Sequence, residues 1–223
     1  MCGIFGVYSA NANIDKDVLK EVAVRNSFRG NRGLGILQHS DQVVVNRYAS
    51  VNENWHEDIT DVSDVVLGHT VAPTGTSHIV HPIETERFIF AHNGILLNYK
   101  EYPQWGWLDN KLDSAYLLCG IIDSLVDNVA DSIVKTAEQF KGQQSCWLYD
   151  KNTNELYVWR VMSTLFYGAH NDAIWFSSTN DIKAFQLKNA FNEGIVYKLK
   201  REFERFDEVS AFVYENIYDM GRK

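Results

Sequence analysis

Strand-like runs of apolar and β-branched residues fill both ends of this chain, with helical patterns side by side between them, and that segregation narrows the folds open to it. In the first half such runs fall at residues 3–8, 34–38, 43–48, 65–69 and 87–91, separated by polar or Gly/Pro-containing connections. One helix interrupts them early: Asp15 opens a stretch in which Val18, Leu19, Val22 and Ala23 recur at helical spacing, and Arg29-Gly30 ends it. At mid-chain Asp113 and Ser114 form an N-cap pair ahead of Ala115, Leu118, Cys119, Ile122 and Leu125, which share one helical face, and a second helix is expected over residues 130–140. Strand-like composition then returns at residues 145–149, 155–161, 173–177, 194–199 and 202–206. Blocks of this kind predict an α+β fold, antiparallel sheets packed together with helices outside, and not a doubly wound parallel sheet.

The chain has 223 residues, of which 45% are hydrophobic, enough to bury a core without disulfides or metal, and one domain over residues 1–223 is the default reading. Its three cysteines, Cys2, Cys119 and Cys146, are odd in number, widely spaced and in no C-x-x-C pattern, which argues for a reducing compartment and against a disulfide framework or zinc knuckle. The N-terminal run carries neither a basic flank nor a cleavage pattern, so no secretory signal or membrane span is expected and the protein is placed in the cytoplasm. A formal charge of -8 with no Lys/Arg-rich block disfavours nucleic acid as a partner. Histidines 69, 78, 81 and 92 are scattered without tight ligand spacing, so no metal is expected, and no cofactor is implied.

Cys2 follows Met1 directly, and removal of the methionine leaves this residue with a free α-amine beside its own thiol. Ordinary pKa values of about 8.5 for the thiol and about 7.7 to 8.0 for the amine make that amine a base poised near neutrality. The competing reading is a small buried hydrophobe at the start of a strand. His92-Asn93-Gly94 ends the run Phe88-Ile89-Phe90-Ala91. An Asn side-chain amide and a Gly backbone N–H aimed at one point form an oxyanion hole, whereas Asn-Gly is also the strongest short signal for a type I′ hairpin turn.

Taken together, Met1-Cys2-Gly3-Ile4-Phe5-Gly6, Arg29-Gly30 with Gly35, Gly68-His69-Thr70, His81-Pro82 and His92-Asn93-Gly94 resemble, in order and approximate spacing, the glutaminase domain of class II glutamine amidotransferases. The resemblance runs on through Asp113-Ser114, residues 142–150, Ser177-Ser178 and Glu193-Gly194. It implies the four-layer αββα sandwich of N-terminal nucleophile hydrolases, with two antiparallel sheets flanked by helices. It also implies that Cys2 is the nucleophile, that Asn93 and Gly94 stabilise the oxyanion, and that Asp113 binds the α-ammonium of glutamine. Arg29 would brace the loop around the nucleophile, and Arg32, Thr74 and Gly75 join the substrate-binding set. Family enzymes pass ammonia to an acceptor, expected here on a separate synthase or ligase subunit.

One position departs from the family. Where His-Thr-Arg is usual, with the arginine gripping the glutamine α-carboxylate, this chain reads His69-Thr70-Val71, and valine has no side-chain donor. Arg32 and His78 are the nearby substitutes. Two alternatives stay open: an N-terminal-cysteine amide hydrolase for another acyl group, and a non-catalytic regulatory subunit. For the latter, the aromatic loop from Tyr99 to Trp107 serves equally as an interface or as a satellite of the core.

Overall fold

The computed structural model describes residues 2–72, 81–108, 112–201 and 205–214. Its strands are β1 (Gly3–Tyr8), β2 (Leu34–His39), β3 (Val43–Tyr48), β4 (Val65–Thr70), β5 (Ile83–Glu84), β6 (Phe88–Leu96), β7 (Gly142–Asp150), β8 (Glu155–Val161), β9 (Phe166–His170), β10 (Ala173–Ser177), β11 (Asn189–Ala190), β12 (Ile195–Lys200) and β13 (Arg205–Ala211). The helices are α1 (Lys16–Ser27), α2 (Asp113–Asp123) and α3 (Val129–Ala137). They build a seven-stranded sheet ordered β11-β9-β10-β1-β4-β2-β3 and a six-stranded sheet ordered β13-β12-β8-β7-β6-β5. The paired strands are antiparallel throughout.

Side-chain alternation along the strands turns these sheets into four layers. On β1, Ile4 and Tyr8 face the second sheet and join a buried cluster with Trp147 and Tyr149 of β7, while Phe5 and Val7 face the opposite way and pack with Val18, Leu19, Val22 and Ala23 of α1. On β7, Cys146 and Leu148 point outward against Ala115, Leu118 and Ile121 of α2 and Ile133 of α3. The order is α1, sheet, sheet, then α2 with α3, the αββα arrangement expected. Helix α1 starts where Asp15 accepts hydrogen bonds from the backbone N–H groups of Asp17 and Val18, both at 3.0 Å.

Several elements differ from their expected bounds. The strand expected to stop at Ala91 runs on to Leu96, so His92-Asn93-Gly94 is not a hairpin turn: Asn93 pairs with Ser145 and Gly94 with Gln144 inside the β6–β7 ladder. Short-range turn propensity yields there to cross-strand pairing. Helix α2 begins at Asp113 itself, and its N-cap is Leu112, which makes no side-chain cap. Helix α3 covers residues 129–137 where 130–140 was expected. Strands β5, β9 and β11 went unread because two are only two residues long and the third, Phe-Tyr-Gly-Ala-His, has no buried position to mark its period. The last strand runs over residues 205–211 where 202–206 was expected, and residues 202–204 lie outside the described ones. The aromatic loop resolves toward the core: Tyr99, Tyr102 and Trp105 pack on the cluster around α2 and α3, and Tyr102 stacks on Trp105 with centroids 4.9 Å apart, leaving Trp107 half exposed.

Candidate active site

Cys2 sits at the entrance to β1, the middle strand of its sheet, and its surroundings are assembled from three directions. The backbone N–H of Ala72, just past β4, donates to the Cys2 sulfur at 3.3 Å. The Arg29 guanidinium, just past α1, donates from Nε to the Cys2 carbonyl at 3.2 Å and from Nη1 to Thr164 Oγ1 at 2.9 Å and to the Ser178 carbonyl at 3.4 Å. Behind β10, Ser178 closes the group: its N–H donates to the Ile4 carbonyl at 2.9 Å, and its hydroxyl oxygen accepts from the Ile4 N–H at 3.0 Å.

Gly30 explains why the Arg29 loop lies so close. A Cβ there would stand 2.3 Å from the Ala72 nitrogen and 2.5 Å from the Val71 carbonyl carbon, so only glycine lets the loop rest on the segment that presents Ala72 to the thiol. Two further bonds lock the contact, Arg32 N–H to the Val71 carbonyl and Val71 N–H to the Gly33 carbonyl, each at 2.9 Å. Arg29-Gly30 is therefore more than a helix stop.

The opposite wall belongs to the second sheet. Asn93 is 1% exposed, and its side-chain amide donates to Ser178 Oγ at 3.4 Å, which places it beside the strand that Cys2 leads into. Gly94 has no room for a side chain, since a Cβ would fall 1.9 Å from the Gln143 carbonyl oxygen and 2.6 Å from His92 Nε2. The His92 ring is pinned on both sides: Nε2 donates to the Gln143 carbonyl at 3.0 Å, and Nδ1 lies 2.9 Å from Ser114 Oγ, within hydrogen-bond distance. His69 of β4 reaches across the sandwich, and its Nε2 donates to the His92 carbonyl at 3.2 Å. This ties the sheet that Cys2 leads into to the strand carrying Asn93 and Gly94.

Asp113 reaches over from the start of α2. One carboxylate oxygen accepts from the Leu96 N–H at 2.8 Å and the other from the Ser114 N–H at 2.8 Å, so it is anchored to the end of β6, two residues beyond Gly94. It is a helix-start residue and a wall of the site at once.

Electrostatics follow from this packing. Burial pushes the Cys2 thiol above its ordinary value and nearby Asp113 adds to the rise, while the Ala72 N–H and the Arg29 guanidinium oppose it. Cys119 is pushed up to about 11, and Cys146 well above the usual range, both chiefly by burial. Burial lowers His69 to about 3 and His81 well below 6.5, so both rings are neutral near pH 7; they lie against each other at a 40° tilt with centroids 4.4 Å apart.

Of the residues singled out in the sequence, Cys2, Arg29, Asn93, Gly94 and Asp113 converge on one place. Arg32 is exposed and touches Val71 through its backbone. Thr74, Gly75 and His78 lie outside the described residues. Sequence reasoning gave no role to Ala72, Thr164 or Ser178; the Ser177-Ser178 pair ending a strand was the one visible signal. Among the described residues no group of three or more His, Cys, Asp or Glu stands ready to hold a metal ion, and no helix is long and apolar enough to cross a membrane.

Two facing antiparallel sheets between helical layers, with a cysteine at the head of a central strand, define the N-terminal nucleophile hydrolase fold. Its structural neighbours are class II glutamine amidotransferases, and the chain has their fold. It superposes on glutamine PRPP amidotransferase from B. subtilis with a TM-score of 0.78 at 17% identity, covering 96% of this chain and 50% of that one. A glutamine aminotransferase class-II domain protein from Silicibacter pomeroyi gives 0.59 at 11% identity, with 94% and 100% covered. In sequence, a 7-cyano-7-deazaguanine synthase of Sulfolobus acidocaldarius is 24% identical over 85% of this chain and 46% of its own length. A glutamine--fructose-6-phosphate aminotransferase of Streptococcus pneumoniae is 26% identical over 75% and 30%. The chain thus spans less than half the length of these two relatives. No protein-family model matches it.

Proposed function

We propose that this chain is a glutaminase that releases ammonia from the glutamine side chain through a thioester on Cys2. The observation that carries the reading is the approach of Asn93 to the nucleophile strand, through the shared hydroxyl of Ser178. With Met1 removed, the α-amine of Cys2 takes the thiol proton as sulfur attacks the amide carbon. The oxyanion that forms is met by the Asn93 amide and the Gly94 N–H. The tetrahedral adduct then collapses, the C–N bond breaks, and the same amine returns the proton to the departing ammonia. Water attacks the γ-glutamyl thioester by the reverse route and frees glutamate. A thiol held neutral by burial at rest needs such a base, and this one is part of the nucleophile's own residue. The Asp113 carboxylate, anchored at the end of β6, is the partner for the substrate ammonium.

In this reading the ammonia acceptor sits on a separate synthase or ligase subunit. Three unpaired cysteines suit a reducing compartment such as the cytoplasm. Glutamate release from free glutamine by the purified protein, lost in Cys2→Ala with the fold intact, is the expected result. Val71 favours a second reading, an amide hydrolase for a substrate other than free glutamine. Turnover of a glutaminyl amide lacking the free carboxylate, with none of glutamine, would select it.

A further inference from the structure

Asn93 can serve an oxyanion only if its side-chain amide is turned the right way, and the group that turns it is Ser178. A side-chain amide nitrogen carries two hydrogens, and one of them is directed at Ser178 Oγ, 3.4 Å away. That oxygen cannot drift. Its other acceptor position is filled by the Ile4 N–H at 3.0 Å, and the residue's own main chain is held by its N–H on the Ile4 carbonyl at 2.9 Å and by Thr164 Oγ1, which donates to the Ser178 carbonyl at 2.9 Å. Ser178 is 1% exposed, so no bulk water competes for the hydroxyl. With one amide hydrogen spoken for, the plane of the Asn93 amide is fixed and the second hydrogen is left for substrate.

Resting on the glutaminase reading above, we propose that Ser178 is a positioning residue that sets the Asn93 amide relative to Cys2, acting on catalysis through Asn93. It stands on β10's sheet, the nucleophile's own, while Asn93 stands on the other, so the hydroxyl carries the nucleophile's position across to the oxyanion donor. The 3.4 Å separation is that of a resting site, and such bonds shorten as charge develops on the substrate.

The test is a double-mutant cycle on kcat and KM for glutamine hydrolysis, using Ser178→Ala, Asn93→Ala and the pair. Ser178→Ala is expected to lower kcat about fivefold, the effect of one neutral hydrogen bond, with KM moved less than about twofold. In the Asn93→Ala background the same change is expected to cost less than about twofold, because the group it orients is gone. An equal loss of kcat in both backgrounds, or no loss in either, overturns the proposal while leaving the glutaminase reading intact. An Asn93→Ala protein with unchanged kcat removes the oxyanion assignment and this inference with it. If Ser178→Ala does not fold, Ser178→Cys keeps the volume with a poorer acceptor, and the same pattern is expected of it.

Discussion

The Ala72 backbone N–H points at the Cys2 sulfur from 3.3 Å, and Gly30 is the residue that allows it to do so. Gly30→Ala forces a Cβ into backbone that has nowhere to yield except by moving Ala72 or the Arg29 loop. The expected result is a loss of about 1 to 3 kcal/mol in stability. With it should come a fall in kcat of roughly 2- to 10-fold, the worth of one hydrogen bond. Denaturant melts and steady-state assays check both. A variant with full activity and unchanged stability would mean the loop does not hold Ala72 in place.

Removal of the side-chain donor at the oxyanion should be costlier. Asn93→Ala is expected to lower kcat by roughly 10² to 10³, with a far smaller change in KM, because the donor acts on charge that develops only in the transition state. A KM effect without a kcat effect would move Asn93 from catalysis to ground-state binding.

The buried histidines make stability pH-dependent. His69 is lowered to about 3 and His81 well below 6.5, so in acid the unfolded chain binds protons that the folded one refuses. Stability is then fully present above about pH 6.5 and falls as pH drops below it. Between pH 7.5 and 5.5 the two rings together should account for a loss of about 2 to 3 kcal/mol, read from denaturant midpoints. His69→Asn should roughly halve that slope. A wild-type stability flat across this interval would contradict neutral burial.

Much of this was legible beforehand because it is periodic. The apolar strand over residues 3–8 is written in the sequence, as are the Asp15 start and the apolar face of α1, whereas the facing of Ile4 and Tyr8 against Phe5 and Val7 emerges only in the packed sheets. Cys2, Asn93 and Asp113 could be named because the short motifs that hold them carry the resemblance to class II glutamine amidotransferases, which implies their roles. What could not be read is contact between segments distant in sequence. Asn93-Gly94 looks like a turn until β7 pairs with it, and Ser178 and Ala72 gain meaning only when β10 and β4 flank β1. Backbone donors in particular leave no residue-type signature: any non-proline residue could supply the N–H that Ala72 does.

Carboxylate recognition turns on Val71. With Arg32 as the substitute donor, Arg32→Ala should raise KM for glutamine by the equivalent of roughly 1.5 to 3 kcal/mol, the range for hydrogen bonds to charged groups. If glutamine instead binds weakly for want of a donor, Val71→Arg should lower KM. Unchanged KM in Arg32→Ala and His78→Ala, with KM already tight, would refute this account of the carboxylate.

The central claim is that Cys2, with a free α-amine, is the nucleophile. Intact-mass and peptide analysis of the active protein, after treatment with an electrophilic glutamine analogue, tests it most directly. The account predicts a chain lacking Met1 with one adduct, on Cys2, formed in step with loss of glutaminase activity, while the buried Cys119 and Cys146 stay unlabelled. Full activity in protein retaining Met1, or labelling of Cys119 or Cys146 in preference to Cys2, would contradict it.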